Sequence, residues 1–243
     1  MNVQIGRGWR ILGAVLTIVS VCFIPACASV PDDQRIDNFP MYGQPTVLRP
    51  DHLKKADEEF IEKAAAGLGG RKAASKAWAS QAGEYMRNGD LHLAMRRYNQ
   101  SWLLDSTNPQ AYWGFGRIML QRGKYEESLA HFEKAKQLMD DPYQKVALVA
   151  DAGSAYAVWA NKTAADQIQS KKQRFELAYG SFAESTALDA SYAPAWFMWA
   201  RTLYWEGKYA EAWDKVKKAR SQDEKVVPPG FIKDLGAKMP EPR

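Results

Sequence analysis

From residue 51 onward, apolar and small side chains recur three and four apart and are broken at intervals by Gly, Pro, Asn and Asp. Leu53, Ala56, Phe60, Ile61 and Ala64 share one helical face, with Asp51 as a cap and Gly67 and Gly69-Gly70 as stops, which predicts a helix over residues 51–70. Beyond it the punctuation is regular. Asn88-Gly89, Arg122-Gly123 and Glu206-Gly207 each read as a tight turn between two helices, because glycine at a helix C-terminus adopts the left-handed conformation without a Cβ clash. No segment alternates with the two-residue period of a strand, so the pattern predicts an all-α chain.

The breaks fall at a spacing of about 34 residues. Residues 75–108 supply Trp78, Tyr85, Gly89, Ala94, Tyr98 and Leu104-Asp105. Residues 109–142 repeat the phrase with Tyr112, Gly116, Gly123, Tyr125, Phe132, Ala135 and Leu138, and residues 193–222 with Trp196, Ala200, Gly207, Tyr209, Ala212 and Ala219. Between them, residues 143–192 fit through Gly153, Tyr156, Ala178, Phe182 and Leu188-Asp189 only with an insertion. Small residues at three positions let helices approach, and aromatics fill the space around them.

These positions resemble the tetratricopeptide repeat (TPR) family in period and in the Trp, Gly, Tyr, Ala, Phe pattern. The resemblance spans roughly residues 75 to 222 and implies a right-handed α-solenoid of helix pairs, with the helix at 51–70 and residues 223–243 as N- and C-terminal caps. Gln81-Ala82, Ser106 and Ser128 depart from the family pattern and read as drift.

Ahead of the repeats, residues 1–26 carry Arg7 and Arg10 and then an apolar run over residues 11–24. That run is short of the roughly 20 residues a bilayer crossing takes, so it reads as a cleaved export signal. Ala26-Cys27 resembles the bacterial lipobox, which implies an acylated Cys27, a lipid anchor and an outer-membrane lipoprotein facing the periplasm. An ordinary cleavage site in Ala26-Cys27-Ala28, leaving a soluble periplasmic or secreted protein, stays open. Residues 27–50, with Pro31, Pro40, Pro45 and Pro50, read as a tether reaching roughly 75 Å at most. The other reading is that Phe39, Met41 and Tyr42 dock on the repeats.

Cys22 and Cys27 are the only cysteines, so the repeats carry no thiol for a disulfide, metal or nucleophile. There are 33 basic and 28 acidic side chains, and loss of Arg7 and Arg10 with the leader trims the excess from five to three, too mild to point to nucleic acid. His52, His92 and His131 lack metal-ligand spacing, and the last two read as surface histidines. Gly114-Phe115-Gly116 and Gly67-Leu68-Gly69-Gly70 lack the context of a phosphate loop. The expectation is a chain with no catalytic residue, no metal and no cofactor.

The resemblance further implies that first-helix side chains line a binding groove: Lys76, Ala79, Gly83 and Met86; Gln110, Trp113, Arg117 and Leu120; Pro194, Phe197, Arg201 and Tyr204. In the third copy, Ala147, Ala150, Ser154 and Ala157 make a smooth, uncharged stretch. Trp113 with Arg117, and Phe197 with Arg201, repeat one arrangement of a ring and a guanidinium four residues apart. With Tyr204 they are the expected site for a periplasmic or envelope protein or peptide, which makes the chain a membrane-tethered adaptor. The alternative is a cell-wall glycan binder that stacks sugars on Trp113, Phe197, Trp199, Tyr204 and Trp205. The insertion, residues 160–174, is expected to lengthen the second helix of its copy, with a capping-box start at Thr163 and Asp166, and Ile168 and Phe175 as an apolar stripe.

Overall fold

The structure, a computed structural model, describes residues 35–242; the leader, Cys27 and the first part of the expected tether lie outside them. The described residues form ten α-helices: α1 (Asp51–Gly67), α2 (Arg71–Arg87), α3 (Leu91–Leu104), α4 (Pro109–Gln121), α5 (Tyr125–Leu138), α6 (Pro142–Lys162), α7 (Ile168–Leu188), α8 (Ala193–Glu206), α9 (Tyr209–Gln222) and α10 (Pro229–Lys238). None of them is long and apolar enough to cross a membrane. Helices pack in consecutive pairs, α2 with α3, α4 with α5, α6 with α7 and α8 with α9, and each first helix touches the first helix of the next pair.

Local chemistry sets the boundaries. Asp90, Asn108 and Asp141 accept from backbone N–H groups in the first turns of α3, α4 and α6, and Pro109 and Pro142 follow their caps at the position that lacks a helical donor anyway. Gly89, Gly123 and Gly207 sit at φ 82, 72 and 84°, so α2, α4 and α8 each stop where only glycine is unstrained, whereas α6 is followed by Thr163 in extended backbone.

Packing keeps the repeat register. A Cβ on Gly116 would stand 2.7 Å from the Phe132 ring, and one on Gly153 would stand 2.8 Å from Phe182, so the same small-against-aromatic contact closes the second and third pairs. Phe132 and Phe182 are both buried, each contributing about 2–3 kcal/mol of apolar burial. Ser128 is not drift. It is fully buried and its hydroxyl donates to the Gly116 carbonyl at 2.7 Å, pinning α5 to α4 with a hydrogen bond that alanine cannot make.

The segment before α1 lies on the repeats rather than hanging as a tether. Two 3-10 turns, Ile36–Asn38 and Pro40–Gly43, rest against α3. The buried Asn99 amide donates to Asp37 O and Phe39 O at 3.0 and 2.9 Å, and its oxygen accepts from Tyr42 N at 3.3 Å. Arg122 donates to Asn38 O and Oδ1, and Arg96 pairs with Asp37. Tyr42 is buried beneath the Arg49 guanidinium, which binds Asp57 through both oxygens. Burial pushes the Tyr42 hydroxyl up to about 12.

The insertion does not lengthen the second helix alone. It extends both partners, so α6 runs on to Lys162 and α7 begins at Ile168. Thr163 is not an N-cap; its hydroxyl bonds the Trp159 carbonyl and accepts from Arg174, which stacks on the Trp159 ring at 3.7 Å. Phe175 is buried and Ile168 exposed, so the two do not form a stripe. His131 is not a surface histidine either. It packs on Phe115 and Tyr112, and burial pulls its pKa down to about 4.

Candidate functional site

The first helices α2, α4, α6 and α8 form one face, and the expected binding residues divide into two groups along it. In the first, Trp113 and Arg117 stand on α4. Trp113 Nε1 donates to Asp151 Oδ2 on α6 at 2.9 Å, and Arg117 Nε lies 3.6 Å from the same oxygen. Burial raises the Asp151 pKa, opposed by the Arg117 charge and by the Trp113 hydrogen bond. Burial likewise raises the pKa of Tyr192, just before α8, to which the Asp151 charge adds and from which Arg117 subtracts.

The third copy therefore is not uncharged on this face. Ala150, Ser154 and Ala157, the positions expected to line it, are buried, and Asp151 is the group that reaches α4. One signal for it stands in the sequence: Asp151 is the lone acid of α6, inside the run Val-Ala-Leu-Val-Ala-Asp-Ala-Gly.

Beside this pair, between α2 and α4, is a notch of about 270 Å³ lined by Ala79, Ser80, Gly83, Arg87, Tyr98, Gln110, Trp113, Gly114 and Arg117. Small residues keep its floor low. A Cβ on Gly114 would meet the Tyr98 ring at 2.2 Å, so the tyrosine lies flat against α4 and places its hydroxyl 3.8 Å from the Cβ position of Gly83. Burial raises the Tyr98 pKa, with Arg117 and Arg87 pulling the other way. Two guanidinium groups thus border a low floor in which the Tyr98 ring covers Gly114.

The second group sits on α8. Phe197 and Tyr204 both meet Phe231 of α10 edge-on, at 5.4 and 5.5 Å between ring centroids, so the C-terminal helix covers part of what the sequence assigned to the groove. Arg201 stacks between Phe197 and Trp205, at 5.9 and 5.1 Å to their centroids. The two ring-and-guanidinium pairs are therefore not equivalent: Arg117 is held by a carboxylate, and Arg201 by rings alone. None of Trp113, Phe197, Trp199, Tyr204 and Trp205 is exposed; Trp199, for example, is stacked on Trp196 and capped by Lys215 at 3.8 Å. Sugar stacking needs a free ring face, and protein contacts take up part of that surface at Trp199, Phe197 and Tyr204.

The register of glycine against phenylalanine, the left-handed glycines between helices and the contact of each first helix with the next decide the architecture. The chain is an all-α stack of helix pairs, the architecture that its resemblance to the TPR family implies. No protein-family model matches it, and neither does any curated protein. Among solved structures it is similar to YrrB, a TPR protein with an unusual peptide-binding site, at 19% identity and a TM-score of 0.45, over 79% of this chain and 94% of that one. It is also similar to a MamA RS-1 double mutant, at 15% identity and a TM-score of 0.44, over 68% of this chain and 82% of the other. The helix-pair architecture rests on this chain's own packing.

Proposed function

We propose that the chain is an envelope scaffold, acylated at Cys27, that holds an extended segment of a partner protein against the face of α2, α4, α6 and α8. The observation that carries this reading is the notch between α2 and α4. Its low floor, made by Ala79, Gly83 and the Tyr98 ring laid over Gly114, suits an extended backbone, and Arg87, Arg117, Gln110 and Tyr98 offer donors along it. At about 270 Å³ it is smaller than pockets that enclose metabolites, which run to roughly 300–1,000 Å³, and it suits one or two residues of a longer peptide.

The docked segment changes what a lipid on Cys27 would do. Only the seven residues 28–34 separate Cys27 from Arg35, so the lipid would hold the repeats within roughly 25 Å of the membrane surface rather than at the end of a long leash. The partner is then one that works at that surface.

Metabolic labelling with palmitate tests the anchor. Label on the protein that is lost in Cys27→Ser, together with release of that variant from membranes, is expected; label that persists, or retention without it, contradicts the anchor. For the face, Trp113→Ala with Arg87→Ala should reduce partner recovery after crosslinking in intact cells at unchanged helix content. Full recovery in that double variant would move the site elsewhere.

A further inference from the structure

We propose that Arg201 is an anion-recognition point on the first-helix face, receiving a carboxylate of the bound peptide at its terminal nitrogens. The inference rests on the reading of that face as a peptide site and adds the chemistry of what it holds.

Arg201 differs from the other arginines in one respect. Among the described residues, Arg35, Arg49, Arg96, Arg117 and Arg220 pair with carboxylates, Arg71, Arg97, Arg122 and Arg174 donate to carbonyl, amide or hydroxyl oxygens, and Arg87 is exposed to water. Arg201 is half-buried and donates to nothing, and its Nε is sealed from solvent without an acceptor. The nearest acid on its own helix, Glu206, is committed to the Tyr179 hydroxyl and to Lys208 at 3.0 Å.

A guanidinium taken partly out of water without an acceptor is unfavourable unless something outside the chain completes it. The rings of Phe197 and Trp205 hold the plane of the group in place, so little freedom is lost when an anion binds. Nε is covered, so the open edge is the pair of terminal nitrogens, whose fork spacing matches the two oxygens of a carboxylate. Arg117 cannot serve equally, because Asp151 already supplies its counter-charge. A peptide carboxylate has two sources, an acidic side chain or the C-terminus.

The test is a synthetic array of decapeptides probed with the purified full chain in detergent. Each sequence is present with Asp or Glu and with the Asn or Gln isostere, and each as free acid and as amide. The parent should prefer acidic members over isosteres by about ten- to a hundredfold, the scale of one charge-assisted hydrogen bond pair. Arg201→Gln should abolish that preference, and Arg220→Gln, on the second helix α9 where it pairs with Glu241, should keep it. Preference that survives amidation assigns the side chain, and preference confined to free acids assigns the terminus; both support the proposal. Should Arg201→Gln fail to fold by circular dichroism, Arg201→Lys keeps the charge without the fork and should lose most of the preference. Equal binding of acids and isosteres by the parent, or preference retained in the Arg201 variants, overturns the proposal and leaves the peptide face standing. Binding of no array member overturns both.

Discussion

Trp113 donates its indole N–H to Asp151 across the junction of α4 and α6, and Arg117 approaches the same carboxylate oxygen. One acid therefore fixes both members of an aromatic and arginine pair. It does so from a site where burial works against its charge, because desolvation outweighs what Arg117 and Trp113 return.

A sign follows for Asp151→Asn. A carboxyl whose folded pKa is raised stabilises the fold when protonated and loses that advantage as pH rises from the unfolded value through the folded one. The amide keeps an acceptor for Trp113 and has no charge to desolvate. Paired thermal unfolding of parent and variant should show the balance moving toward Asp151→Asn between pH 3 and pH 7. A balance moving toward the parent would mean that the Arg117 pair dominates.

His131 gives the opposite pH dependence. Its folded pKa of about 4 lies below the unfolded value, so the fold is at full strength above about pH 6.5 and weakens as pH falls toward 4, where the unfolded chain alone takes up the proton. The loss between pH 7 and pH 4.5 is on the order of 2–3 kcal/mol. Denaturant melts should show His131→Phe, which keeps a ring against Phe115, with a correspondingly flatter acid limb.

Much of this was legible in the sequence and some was not. The glycines at 89, 123 and 207 and the aromatics at Tyr98, Phe132 and Phe182 are local signals repeated at fixed spacing, and they place every helix pair. Docking of residues 35–49 has no such period. It depends on one amide, Asn99, about sixty positions away, and on Met41 and Tyr42 holding left-handed φ values of 52 and 55° that only tertiary contacts sustain. Asp151 escaped because family register points at Ala150 and Ser154, which are buried, whereas Asp151 is the side chain that reaches the Trp113 indole on α4. The cover over Phe197 and Tyr204 comes from Phe231, outside the repeats altogether.

Asn99→Ala tests the docked segment. It removes three hydrogen bonds to residues 37–42, at about 1 kcal/mol each. Limited proteolysis should cut within residues 35–49 at protease levels that leave the parent whole, with α4 to α9 intact. Unchanged resistance would show that Tyr42 burial and Arg122 suffice.

Two glycines in helix interiors should respond in opposite directions to the same change. Gly180→Ala on α7 meets nothing within 4 Å and should gain roughly 0.5–1 kcal/mol from helix propensity. Gly114→Ala drives a methyl into the Tyr98 ring and should lose about 1–3 kcal/mol while deforming the notch. Thermal midpoints shifted the same way for both would contradict the packing described.

The most direct measurement of the partner-binding face is site-specific photocrosslinking in living cells, with benzoylphenylalanine placed at Ser80, exposed on the notch, or at Lys134, exposed on the second-helix side of α5. A discrete crosslinked partner is expected from Ser80 and none from Lys134. Crosslinks from Lys134 alone, or equally from both, would contradict it.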